Sequence, residues 1–416
     1  MKRAASLSPL QVPQSARHPG GTPPKNKIPR VALFIETSRT YGRGILRGIA
    51  RYAHSQGPWS CFIQERELHG GIPIWLRQWR GDGVIARIEN QRIARALLRL
   101  GCPVVDVLGN RCFAGIPGFD TDADAVARLA ADFFGRAGFR HFAYCGYPGI
   151  PFSDRRKDAF ARQLAGQGRR LRVLPALEEP AGPDHIQAVE RRGLGVEGAL
   201  ADWLRHQPCP LAVLACNDTR GQQVLNACRE HGLRVPEQVA VMGVDNDNVL
   251  CPLADPPLTS IEPDTERLGF EAAALLARLM AGAPAPAGIT QIPPIRIDER
   301  ASTDIVAMED PIMVQAVRFI RDHVGQGIAV KDVLTHVGRS RSDLEQRFRR
   351  WLGCSVRSDI VRRRLDHVAH LLTETDLSVN DVAARAGFAT VQHFCRVFRR
   401  QFGRTPSQHR AACKAG

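Results

Sequence analysis

The chain is predicted to fold as a doubly wound α/β body followed by an all-α domain built from two similar two-helix units. Three observations carry this prediction. Short apolar runs alternate with amphipathic helical stretches from Ile28 to about Arg300, the strand-like runs stop after "ERASTDIVAMEDP", and the last hundred residues repeat themselves. At 416 residues the chain also exceeds what one hydrophobic core usually covers. The expected divisions are a tail over 1–28, a body over 29–300, a linker over 301–310 and a terminal domain over 311–416.

The tail is basic and rich in Pro and Gly, ending in "GGTPPKNKIPR", and is expected to be disordered. In the body, "VALFI", "CFIQ", "DGVIARI", "PVVDVL", "HFAYCGY", "LAVLACND" and "VAVMGVD" read as buried parallel strands. Helical patterns lie between them at Gly44 to Ser55, Asp124 to Ala137, Arg155 to Gly166, Thr219 to His231 and Thr265 to Leu279. The spacing Gly42-x-Gly44-x-x-x-Gly48, with Glu65 near the end of the next strand, imitates a dinucleotide fingerprint. Six residues separate the strand from Gly42, however, and a phosphate turn needs its first glycine close to the strand end. The stretch from Glu36 to Tyr41 fits better as the lip of a cleft.

The terminal repeat pairs "VLTHVGRSRSDLEQRFRRWLG" from Val333 with "VAARAGFATVQHFCRVFRRQFG" from Val382. Gly338 and Gly387 are 49 residues apart; Leu344 and Phe394, Phe348 and Phe398, and Gly353 and Gly403 are each 50 apart. In each copy a short helix ends at a glycine suited to a left-handed turn, and a second helix follows with apolar residues at i and i+4. This is helix-turn-helix grammar, in which the second helix enters the major groove of DNA.

Charge agrees. Residues 1–30 hold six basic side chains and no acid, and residues 311–416 hold nineteen basic and nine acidic, which leaves −1 of the net +15 for residues 31–310. A basic module on a near-neutral body is the electrostatic footprint of a nucleic-acid binder. Eleven cysteines without a CxxC pair point to a reducing cytoplasm, and no run of 18 apolar residues is present to cross a membrane. No Ser-His-Asp order, HExxH, P-loop or metal-spaced Cys/His cluster occurs, so no cofactor or metal is expected; His367 and His370 read as a solvated pair. An enzyme-like body, a dehydrogenase or a thiol-based repair protein, fused to a DNA reader is the alternative from another class.

From about Pro311 to Arg410 the chain resembles the AraC/XylS DNA-binding domain, most strongly in "DVAARAGFATVQHFCRVFRRQFGRTPSQHR". The resemblance implies two recognition helices, Ser340 to Trp351 and Ala389 to Phe402, held about one DNA turn apart by a connecting helix from Asp359 to Leu372. It places Arg341, Ser342, Glu345 and Gln346, and in the second helix Thr390, Gln392, His393 and Arg396, at base-facing positions. Arg suits guanine, Gln adenine and Glu cytosine. Arg349, Arg350, Arg399 and Arg400 lie further along and contact phosphates or simply solvate the helix.

The segment from about Ala212 to Leu279 resembles the effector domain of LacI/GalR regulators, which has the fold of periplasmic sugar-binding proteins. The likeness rests on a strand ending in Asn217-Asp218, on "GLRVPEQVAVMGVD" ending at Asp245-Asn246, on "PPLTSIEPD" returning the chain to a first subdomain, and on "GFDTDADAVARLAADFFGRAGFRHFAYCG" as a crossing segment. It implies two doubly wound lobes, periplasmic-binding-protein-like type I, closing on a sugar at the C-terminal ends of their strands. Strand-end polar groups are Arg39, Asp106, Asn217, Asp245 and Asn246, with Arg156 opening a helix; Arg156, Asn217 and Asp245 match the family's ligand positions best. Phe152, Tyr41 and Tyr147 are candidate ring platforms. A hinge or cap role competes for Asn246 and Asp106, and Asp120 and Asp218 are expected as caps.

A LacI-like sensor before an AraC-type reader resembles the xylose-responsive regulators, as do "VALFIETSRTYGRGILRGIARYA", "WRGDGVIARIEN", "IPPIRIDERASTD" and "DPIMVQAVRFIRDHV". The implied function is an activator of sugar catabolism genes answering D-xylose or a related sugar, or a regulator of the same build answering another carbohydrate. The implied partners are promoter direct repeats in double-stranded DNA, a second copy of the chain as a homodimer, and RNA polymerase.

Overall fold

The computed structural model describes residues 28–65, 72–176, 190, 197–304, 310–375, 377–388 and 390–414. The basic tail up to residue 27 and residues 305–309 of the 301–310 linker lie outside the described residues, as does Ala389 at the expected start of the second recognition helix. Among the described residues twelve strands form two six-stranded sheets. β1 (Arg30–Phe34), β2 (Ser60–Ile63), β3 (Gly83–Ala86), β4 (Val104–Asp106) and β5 (Gly118–Thr121) belong to the first. β6 (His141–Cys145), β7 (Leu171–Val173), β8 (Leu211–Ala215), β9 (Val239–Val244) and β10 (Thr259–Glu262) belong to the second. Two late strands are shared out, β11 (Ile289–Ile292) to the first sheet and β12 (Arg296–Asp298) to the second.

The orders are β11-β5-β4-β3-β1-β2 and β12-β10-β9-β8-β6-β7, parallel except that β12 runs antiparallel to β10. β8 and β9 are buried along their whole length, because helices cover both faces of a parallel sheet. The chain crosses between lobes after β5, after β10 and after β11, and the first two crossings are those that "GFDTDADAV" and "PPLTSIEPD" predict. All seven expected strands form, but β2, expected to be buried, is an edge strand with Cys61, Phe62 and Ile63 exposed, because it has a neighbour on one side only. The other five were not anticipated: each has at most four residues, too few for a period to show in sequence.

Among the described residues the helices that flank the sheets are α1 (Thr40–Gln56), α2 (Ile74–Arg77), α3 (Gln91–Leu98), α4 (Ala123–Arg136), α5 (Pro151–Ala165), α6 (Glu197–Arg205), α7 (Asp218–Glu230), α8 (Leu250–Leu253) and α9 (Thr265–Met280). α1 begins earlier than expected, so Tyr41 sits in its first turn rather than on a loop. The glycine decoy has a packing explanation. A Cβ on Gly48 would stand 2.0 Å from the Glu266 carbonyl oxygen, and one on Gly269 would stand 2.1 Å from that of Ile45. Bare backbone is what lets α1 and α9 touch, and no phosphate turn is present there.

The terminal domain contains α10 (Pro311–His323), α11 (Val330–Val337), α12 (Arg341–Leu352), α13 (Val356–Glu374), α14 (Val379–Arg385), α15 (Val391–Phe402) and α16 (Pro406–Lys414). Asp310, Ser340, Ser355, Ser378 and Thr390 accept amide hydrogens as N-caps of α10, α12, α13, α14 and α15. The connecting helix, capped by Ser355, starts at Val356, three residues before the expected Asp359. Its first half packs Val356 and Ile360 with Leu344 and Phe348, and its second half packs Leu365, Val368 and Leu372 with Phe394 and Phe398. One helix thus serves two cores. His367 is half-buried against Gly325 rather than solvated, and the His370 side chain lies outside those described.

Candidate ligand cleft and nucleic-acid interface

Strand ends of both sheets converge on a charged cleft. From the first lobe, Arg39 precedes α1 and donates to Glu190 Oε1 at 3.1 Å; Glu190 in turn accepts from Asn217 Nδ2 at 3.0 Å. Burial alone would lower the Arg39 pKa, and the Glu190 contact outweighs it, so the guanidinium is held charged. The Tyr41 hydroxyl lies 3.1 Å from Thr121 Oγ1 under the Arg87 guanidinium, and burial followed by Asp120 raises its pKa. Arg87 pairs with buried Glu36.

From the second lobe, Arg156 donates to the Cys216 carbonyl, lies 3.8 Å from Asp245 Oδ1 and stacks on Phe152 with 5.3 Å to the ring centre. Asp245 ends β9 with φ +116°, and its carboxyl is raised to about 6 by burial, with Arg156 the main opposing charge. Arg155 bridges the lobes, donating to Asp120 Oδ2 at 2.6 Å and to the Asn110 carbonyl at 2.9 Å. Opposed carboxylates, guanidiniums and an amide around two partly open rings make a site that can bind vicinal hydroxyls by paired donors and acceptors.

Of the expected ligand residues, Arg39, Tyr41, Phe152, Arg156, Asn217 and Asp245 come together here. Asn217 also caps α7, accepting from Arg220 N at 2.9 Å. Two do not belong. Asp106 is buried as acceptor of the Ile88, Leu108 and Gly109 amides, which holds a turn and leaves it no free face. Asn246 donates to Asp298 at 2.6 Å and accepts from Arg300 at 2.9 Å, on the hinge side. Tyr147 is also closed off, buried under Arg220 with its hydroxyl on Gln223.

The expected caps need correction as well. Asp120 is the Arg155 partner, with Asp122 capping α4, and Asp218 accepts from Ser260 Oγ at 2.5 Å and from Asp247 N at 2.7 Å. Sequence reasoning missed Glu36, Arg87, Arg155 and Glu190. Glu36 and Arg87 carry a readable signal, a charge directly after a buried strand; Glu190 has none.

In the terminal domain the two second helices bury Leu344 and Phe348, and Phe394 and Phe398, leaving matching exposed positions. Arg341, Ser342, Gln346 and Arg349 are exposed on α12, and Gln392, His393, Arg396 and Arg399 on α15. Thr390 is exposed but engaged as the cap, accepting from His393 N at 3.2 Å, and the Ser342 hydroxyl lies 3.1 Å from that of Ser340. Glu345 departs from expectation: it is half-buried, with Oε2 shielded from solvent, so it does not project beside Gln346. Gly338 and Gly387 take the expected left-handed turns, φ +63° and +69°.

Comparisons with known proteins agree. A periplasmic binding protein-like domain model matches residues 131–303, a XylR N-terminal domain model 30–114 and a helix-turn-helix domain model 333–412. The xylose operon regulatory protein of Escherichia coli K12 is 32% identical over 389 residues, covering 92% of this chain and 96% of the relative. That of Haemophilus influenzae is 28% identical over 392 residues, covering 92% and 98%. A solved structure titled as the xylose-binding transcription activator XylR matches with a TM-score of 0.57 and 31% identity, covering 93% of this chain and 98% of the other. These relatives are transcription regulators, and the chain, with its two-lobed α/β body and paired helix-turn-helix units, belongs to the xylose operon regulatory protein family.

Proposed function

We propose that this DNA-binding regulator is a cytoplasmic activator of sugar catabolism genes whose cleft takes D-xylose or a related pentose. A sensor over residues 29–300 is joined through 301–310 to a reader over 311–416 that binds promoter direct repeats as a homodimer and contacts RNA polymerase. The observation that carries the reading is the cleft: Arg39, Tyr41, Phe152, Arg156, Asn217 and Asp245 present alternating donors and acceptors across two lobes, and Asn246, next to Asp245, is tied to Arg300 and Asp298 on the segment leading to the reader. In α12, Arg341, Ser342, Gln346 and Arg349 face DNA; in α15, Gln392, His393, Arg396 and Arg399 do so.

The reading is tested by thermal unfolding of the full chain against a panel of pentoses and hexoses. A cleft ligand at 100 times its dissociation constant adds ~2.7 kcal/mol of stability. Stabilisation by xylose above the other sugars is expected. A response to a different sugar selects the alternative, a regulator of the same build with another effector, and no response to any sugar refutes the sensor assignment.

A further inference from the structure

In the second helix-turn-helix unit the turn glycine does more than reverse the chain. A Cβ built on Gly387 would stand 2.3 Å from the Cα and 3.0 Å from the amide nitrogen of Gly327, a residue of the loop leading from α10 into the first unit that is itself left-handed at φ +73°. Beside this contact, Arg364 from the middle of α13 donates from Nη2 to the Ile328 carbonyl at 2.7 Å and lies over the Phe388 ring, 5.6 Å from its centre. The loop leading into the first unit, the connecting helix and the turn of the second unit therefore meet at one point. The repeat is broken here. Gly338, the turn glycine of the first unit, has a similar φ of +63°, yet a Cβ on it would meet nothing within 4 Å. Both glycines satisfy a turn, but only Gly387 must also be bare.

We propose that the Gly327–Gly387 contact, braced by Arg364, is a positioning joint that fixes the separation and rotation of α12 relative to α15 and so sets the half-site spacing this reader accepts. The two recognition helices sit in separate cores that share α13. A single 19-residue helix, about 28 Å long, would leave the second unit free to lean. Each added base pair moves a half-site by ~3.4 Å and turns it by ~34°, a displacement that backbone-to-backbone contact resists. A methyl group on Gly387 must open the joint by about 1 Å, because carbon atoms settle at ~3.5 Å or more. The proposal rests on the reading that both helices engage one DNA at once.

Duplexes selected from a random pool by the wild-type full chain are re-made with the segment between the two contacted blocks one base pair shorter or longer. Wild-type affinity is expected to fall ~10-fold or more on either change, the scale of losing good contacts at one half-site. Gly387→Ala should respond within ~2-fold across the three duplexes, whereas Gly338→Ala, with the same left-handed strain and no close contact, should keep the wild-type profile. Arg364→Met, which keeps the stem and loses both contacts of the guanidinium, should flatten the profile in the same direction and decides the matter if Gly387→Ala does not fold. A wild-type profile in Arg364→Met or in folded Gly387→Ala overturns the joint. A wild type indifferent to spacing would instead overturn simultaneous engagement, and the joint with it.

Discussion

Asp245 is expected to make the ligand-free protein less stable, and Asp245→Asn should expose that cost. Its carboxyl is raised from 3.8 to about 6 by burial, with Arg156 offsetting only part of the effect. Between those two values the native state binds more protons than the unfolded chain, so stability falls as pH rises, and above about 6 the full cost is present. The rise corresponds to ~3 kcal/mol for a fully buried group. With the side chain 25% exposed to the cleft, ~1 to 3 kcal/mol remains after screening by water. Asn has nearly the same shape and tolerates the φ of +116° better than most residues. Asp245→Asn should therefore raise the unfolding midpoint at about pH 8 by several degrees, at ~2–4 °C per kcal/mol for a domain of this size. The gain should shrink at about pH 5, where the wild-type carboxyl is itself largely protonated. In the same variant the sugar-induced shift should disappear, because the charged acceptor for a hydroxyl is gone. Thermal unfolding across pH, with and without sugar, reads both effects. A variant that is no more stable than wild type at pH 8, or whose gain is as large at pH 5, refutes the reasoning.

Arg156→Ala should weaken sugar binding by ~10-fold or more, since it removes the cation over Phe152 and leaves Asp245 without its nearest partner; titration calorimetry measures it, and unchanged affinity places the ligand elsewhere. The reader alone, residues 310–416, should bind DNA with an affinity that drops steeply as salt rises, and salt-independent binding would remove the electrostatic argument. Gln346→Ala and Gln392→Ala should each relax preference at one base pair at a cost of ~1–3 kcal/mol, while Glu345→Ala should leave the selected sequence unchanged because that side chain is half-buried. Site selection with each variant distinguishes these outcomes.

Long, periodic features were legible without coordinates. The buried strand runs, the offset repeat and the left-handed glycines at 338 and 387 follow from local chain chemistry, because side-chain period and backbone conformation are properties of neighbouring residues. Arg156 and Asp245 were identified from a family likeness, and the structure brings both to the same cleft. What the linear order could not decide was the partner of each polar group. Asp106 and Asp245 both follow apolar strand runs, yet one is consumed by two amides of its own turn and by the Ile88 amide after the neighbouring strand, and the other opens toward the cleft. Glu190 enters the site from a segment without periodic signal, and reaches Arg39 across 151 residues of chain. The glycines of α1 were ambiguous for the same reason: a bare helix face serves a phosphate or another helix, and only the arrival of Gly269 against Ile45 tells which. Local pattern sets which groups are available at a strand end or helix face; long-range packing determines which of them remain unpaired for a ligand.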